Sequence, residues 1–243
     1  MDEKAGPKLK IYYQPIVQPT FSEIIGFSSL VRLSEKGLGN IPQDVFFPIA
    51  DKSGMGMLLG KWAFAEVCAT IRKIDDKQKE VEYISTRLLA DELRKKSLMH
   101  TLLEIIKETD VPSEKICLEI QEDFLNVNSD LVIERIFELK KEGFKVALDN
   151  YSATYISLSR LDSVPVDIIK LSESLTNKLE ADEKAAELVE SITKQAKAIE
   201  MDVIASGVEK EEQKLLLMEL GCSKMQGLLF GKPMSAREIL GLK

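Results

Sequence analysis

The sequence predicts an α/β fold: a modified TIM (β/α)8 barrel with an antiparallel first strand, built as a single domain over residues 1–243. Three observations carry this expectation. Eight short apolar or β-branched runs recur along the chain, segments of helical period separate the later runs, and the first two runs are joined by very few residues. An open doubly wound sheet is the alternative architecture.

The runs are LKIYYQPI (9–16), EIIGFSSLVRL (23–33), VEYIST (81–86), KICLEI (115–120), KVALDN (145–150), DIIKLS (167–172), DVIASG (202–207) and MQGLLF (225–230). Between the first and second lie only turn residues, around Gln18 to Glu23. A parallel crossover needs a dozen or more residues, so these two strands are expected to run antiparallel. Residues 42–75 read as a helical insertion, with Pro42 near the start of its first helix and Ser53 as a cap for its second. LLEIIKET, LVIERIFELKKEG, AAELVESITKQAKAIE and EEQKLLLMELG have helical period, and several end near Gly. No internal linker, low-complexity stretch or second domain interrupts the pattern.

Composition narrows the function. Thirty-three basic against 40 acidic residues leave a net charge of −7, and no Lys/Arg block offers a footprint for a nucleic-acid backbone, so a polymeric nucleic-acid partner is not expected. Cys68, Cys117 and Cys222 are odd in number and set among apolar neighbours, which suits packing thiols in a reducing, cytoplasmic compartment. No apolar run reaches the roughly 18 residues of a membrane span, so insertion by this segment is not expected. The lone His100 has no second His to build a zinc site with, and no phosphate-binding loop, dinucleotide fingerprint or Ser/His/Asp arrangement appears.

In a barrel of this type the side chains at the strands' carboxyl ends share one mouth. Gln14, Ser28, Arg32, Tyr83, Glu119, Glu122, Asp149, Asn150, Lys170, Ser206, Glu209 and Gln226 are polar residues assigned to those ends. Each has a structural alternative: Glu119 as an outward strand residue, Lys170 as a snorkelling rim residue, Asp149-Asn150 as a turn, Gln226-Gly227 as a bulge. Their joint placement favours a site.

These motifs resemble the EAL-domain family of cyclic di-GMP phosphodiesterases. The resemblance rests on YYQPIV (12–17), GFSSLVR (26–32), KICLEIQE (115–122), VALDNYSATY (146–155), LSRLDSVPVDIIKL (158–171), IASGVEKEEQ (204–213) and LGCSKMQGLLFGKP (220–233), and covers nearly the whole chain. The family fold is a barrel with an antiparallel first strand, in agreement with the turn-length argument.

The naming triplet Glu-Ala-Leu is here Ser28-Ser29-Leu30. By the resemblance, Glu119 and Asp149 match metal-binding carboxylates and Lys170 is a further remnant of the catalytic set. Positions that carry metal or catalytic groups in active members fall on Ser28, Tyr83, Asn150 and Ser206, and the family's Phe-Gly-Thr-Gly loop is Tyr151-Ser152-Ala153-Thr154. Two divalent ions require several hard, anionic oxygen ligands, so no metal is expected, with Glu119 and Asp149 as the weak candidates and Mg²⁺ or Mn²⁺ implied only for residual activity. The expectation is therefore a chain that is not an enzyme.

The nucleotide-facing positions are better kept: Gln14, Leu30, Arg32, Glu209, Gln226 and Pro233 match the ligand pocket. The resemblance thus implies a catalytically inactive cyclic di-GMP receptor in bacterial second-messenger signalling. The alternatives are a nucleotide-independent protein-interaction module with a protein partner, and a slow metal-dependent phosphodiesterase. A homodimer is implied by resemblance alone.

Overall fold

The computed structural model describes residues 8–21, 23–127 and 129–242. Its nine described strands are β1 (Lys8–Gln18), β2 (Glu23–Glu35), β3 (Gly39–Pro42), β4 (Tyr83–Arg87), β5 (Ile116–Gln121), β6 (Lys145–Tyr151), β7 (Ile168–Leu171), β8 (Asp202–Ala205) and β9 (Lys224–Gln226). They hydrogen-bond in the order β1-β9-β8-β7-β6-β5-β4-β2-β3, and β1 also pairs with β2, which closes the ring. β1 is antiparallel to both of its neighbours, as its short connection to β2 requires, whereas β2 and β4 to β9 are mutually parallel.

Ten described helices surround or cap this ring: α1 (Gln43–Lys52), α2 (Gly56–Asp76), α3 (Ala90–Arg94), α4 (Leu98–Thr109), α5 (Phe124–Val127), α6 (Ser129–Lys141), α7 (Glu173–Thr176), α8 (Glu183–Ala198), α9 (Glu211–Glu219) and α10 (Ala236–Gly241). The apolar faces of α2, α4, α6 and α8 pack on the outside of the sheet in the main core, which includes Phe64, Ile71, Leu102, Ile136 and Val189. Local chemistry sets several boundaries. The Asp182 carboxylate accepts from Lys184 N at the start of α8, and Ser235 with Glu238 forms a capping box at α10.

Three local expectations change. β3 is an extra hairpin strand, paired antiparallel from Arg32↔Pro42 to Glu35↔Gly39; its four residues carry no apolar alternation. Ser53 closes α1 rather than opening α2, and its hydroxyl donates to Ala50 O at 3.0 Å. The last strand stops at Gln226 because Gly227 turns against the backbone of Val208, where a Cβ would lie 2.0 Å from the Val208 carbonyl oxygen. The three cysteines are free and buried. No described helix is long and apolar enough to cross a membrane.

The interior of the ring is layered. Ile16, Ile25, Tyr83, Cys117, Ala147, Ile168 and Ile204 form an apolar floor. Side chains alternate with a period of two along a strand, so the next inward positions are Ser85, Glu119, Asp149, Lys170 and Ser206. An apolar floor beneath a polar storey is what positions the site.

Candidate functional site

The polar storey opens into a cavity of about 730 Å³ at the carboxyl ends of the parallel strands. Gln14, Ser28, Leu30, Arg32, Glu119, Asp149, Asn150, Lys170, Ser206, Glu209, Gln226 and Pro233 all line it, so the structure brings together nearly every site residue expected from the sequence. Its size falls within the usual range for small-molecule pockets.

At its base lies a closed ion-pair network. Lys170 Nζ is 2.5 Å from Glu119 Oε1 and 3.9 Å from Asp149 Oδ1. The same Glu119 oxygen accepts from Ser28 Oγ at 3.0 Å and from Ser85 Oγ, and Lys170 also donates to Ser28 Oγ at 3.2 Å. Burial opposes the charge on Lys170, yet Glu119 and Asp149 hold its pKa above the usual lysine value. Asp149 is the mirror case: burial pushes its pKa up, but Lys170 and Arg87 together bring it below the usual carboxylate value.

Arg87, the last residue of β4, is a member that the sequence reading missed. Its guanidinium contacts Asp149 Oδ2 at 3.1 Å and, through the other terminal nitrogen, Asp44 Oδ1 at 2.5 Å in the first turn of α1. Gln121 also donates to Asp149, at 3.3 Å. Tyr83, which the sequence places at the mouth on a position that carries a metal or catalytic group in active members, is corrected by the structure. It is the first residue of β4 and belongs to the floor, and the residue level with Ser28 in the β2–β4 register is Ser85. The mismatch is two residues, one full strand period, so the pattern of YISTR alone could not reveal it.

Glu122 is also not on the cavity wall. Its carboxylate is buried and accepts from the backbone N–H groups of Ser152, Tyr155 and Ile156, at 2.8–3.0 Å. It anchors the loop after β6; Asn150, near the end of that strand, and Ala153, in the loop, both take the left-handed conformation, at φ 56°.

The opposite wall is built by β1 and β9. Gln226 Nε2 donates to Gln14 Oε1 at 3.1 Å, and Gln14 Nε2 donates to Gly231 O at 3.2 Å. Gln14 is level with Ser28 in the antiparallel pairing of β1 with β2, so it reaches the mouth from mid-strand. Gln226 Oε1 on this wall and Ser206 Oγ, just past β8, are buried without a partner among the described residues. A buried polar atom left unpaired costs about 1–3 kcal/mol, so a donor brought to either atom by a small side-chain rotation would be stabilised.

The model of the EAL domain matches residues 2–233. The chain belongs to the EAL-domain family. Among curated relatives, this EAL domain is 32% identical over 232 residues to the cyclic di-GMP phosphodiesterase PdeR of Escherichia coli strain K12, covering 94% of this chain and 34% of PdeR. It is 28% identical to the cyclic di-GMP phosphodiesterase RocR of Pseudomonas aeruginosa, over 96% of this chain and 59% of RocR. A solved structure titled as the PaMucR phosphodiesterase in complex with c-di-GMP superposes with a TM-score of 0.90 at 27% identity, covering 95% of this chain and 94% of that one. The chain spans about a third of the length of most of the curated relatives it matches.

These likenesses overturn the expectation that the chain is not an enzyme. Relatives aligned over almost the whole EAL domain are named as cyclic di-GMP phosphodiesterases, so the family it belongs to is an enzyme family. The divalent ions that such chemistry implies are a separate matter, decided by the donor set. Glu119 and Asp149 are already engaged by Lys170, Arg87, Gln121 and two serine hydroxyls. Among the described residues no group of three or more His, Cys, Asp or Glu converges to hold a metal. Two carboxylates neutralised by two internal cations do not fit a pair of divalent ions.

Proposed function

We propose that the mouth of this EAL domain binds cyclic di-GMP directly and that the domain acts as a receptor and signalling module for it in the cytoplasm. The observation that carries the reading is the pair of unpartnered atoms, Gln226 Oε1 and Ser206 Oγ, in a cavity that also presents Arg32 and Lys170. A cyclic dinucleotide supplies what such a wall lacks. Guanine N–H groups suit Gln226 Oε1 and the Glu209 carboxylate, and two anionic phosphates suit Arg32 and Lys170. Leu30 and Pro233 add apolar surface for the bases, and the c-di-GMP complex of a 27% identical neighbour supports the same ligand class.

Calorimetric titration with cyclic di-GMP, in EDTA and again in Mn²⁺, tests this. Saturable heat is expected in both, with Arg32→Ala weakening binding by about tenfold or more. Absence of heat and of any thermal shift in both buffers would remove the receptor reading. Binding and hydrolysis that appear only with Mn²⁺ would show that recognition runs through a divalent ion and would sink its metal-free form.

A further inference from the structure

Among the described residues lining the mouth, Arg87 is the one cation that the motifs shared with the family do not include, and its surroundings give it a role. It sits opposite Glu119 in the β4–β5 register, with its side chain 14% exposed. One terminal nitrogen holds Asp149, the other holds Asp44, and its Nε is buried without a partner. Asp44 is of a different kind: its side chain is 70% exposed, it comes from the inserted helix α1, and its charge also bears on Arg32. An exposed acid thus lies at two guanidiniums that line the same cavity, where an anionic ligand oxygen would also be stabilised.

We propose that Arg87 is a phosphate-binding residue of this pocket, that with Lys170 it occupies the electrostatic place of divalent ions beside Glu119 and Asp149, and that Asp44 is the internal anion a phosphate displaces from it. The phosphate-binding part rests on the cyclic di-GMP reading above; the cation-replacement part does not. The Asp44 side chain is itself 70% exposed, so water can hydrate its carboxylate once an incoming phosphodiester displaces it from Arg87. The Asp149 contact is retained, because it is buried and holds the guanidinium in position. A planar guanidinium offers two parallel N–H groups to phosphate oxygens, which an ammonium does not.

The test uses Mn²⁺ alone and cyclic di-GMP in EDTA as probes, on the wild type, Arg87→Met and Asp44→Asn, with a thermal melt for each. Arg87→Met is expected to lose about tenfold or more in nucleotide affinity and to gain about tenfold or more in Mn²⁺ affinity, since Asp149 is released. Asp44→Asn is expected to bind nucleotide severalfold more tightly, because the competing anion is gone. Being an exposed substitution, it remains informative where Arg87→Met fails to fold. Unchanged nucleotide affinity in Arg87→Met, or unchanged or weaker binding in Asp44→Asn, overturns the phosphate role. Equal Mn²⁺ affinity in the wild type and Arg87→Met overturns the cation replacement. A wild type that binds no nucleotide removes the receptor reading and with it the phosphate role, while the Mn²⁺ comparison still decides the replacement of the metal.

Discussion

The Lys170 ammonium lies 2.5 Å from the Glu119 carboxylate, and the two side chains are only 6% and 3% exposed. A pair buried this deeply adds little net stability, yet losing one partner leaves the other charge stranded. Lys170→Met is therefore expected to destabilise the fold by about 3–5 kcal/mol in urea denaturation. Adding Glu119→Leu to it should restore much of that loss. A single variant as stable as the wild type would mean that the Lys170–Glu119 contact does not hold the network together.

The same network sets a pH dependence. Asp149 has a folded-state pKa below its unfolded value, so the stability it contributes is present above the unfolded carboxylate range and is lost as pH falls through the folded pKa. The expected outcome is a melting temperature that declines below about pH 4, and declines less in Asp149→Asn.

Glu92 titrates in the opposite sense. Burial, reinforced by Asp51 and Asp91, pushes its pKa up from 4.5 to about 8. Its unfolded form ionises first as pH rises, so stability is lost between about pH 4.5 and 8 and then levels off. Glu92→Gln keeps an oxygen to accept from Leu89 N and is expected to stabilise the protein at pH 8 by on the order of a few kcal/mol, with little effect at pH 4. Melting curves at the two pH values check this.

Glu122 ties down the loop after β6 through three backbone N–H groups. Glu122→Ala is expected to cost about 2–4 kcal/mol and to speed amide exchange most at Ser152, Tyr155 and Ile156. Exchange that rises evenly over the whole chain would show instead that the loop is held by other contacts.

Gly227 has no room for a side chain, since a Cβ there would meet Val208 backbone atoms at 2.0–2.6 Å. Gly227→Ala is expected to cost about 1–3 kcal/mol and to displace Gln226 from Gln14, which would weaken nucleotide binding as well. Calorimetry and a chemical melt on the same variant separate the two effects.

The ring and most of its mouth were legible because strand runs such as KICLEI and DIIKLS put one polar residue among apolar ones, and because the turn between β1 and β2 is too short to allow anything but an antiparallel pair. Tyr83 and Arg87 were not legible, since a two-residue offset along β4 preserves the inward face while moving the level from floor to rim. Asp44 could not be seen either, because it joins the mouth from an inserted helix through a contact with a residue 43 positions later. Ser53 carried a cap signature that serves the end of one helix as well as the start of the next.

The reversed first strand also orders assembly in time. Ile16 faces Gln226, and Tyr13 bridges to Met234, so the partners that seal the outer edge of β1 are synthesised long after it, once the other strands of the ring have been made. Until then one flank of that strand stays open to intruding chains, and the nascent domain depends on rapid closure, or on a chaperone, to escape aggregation.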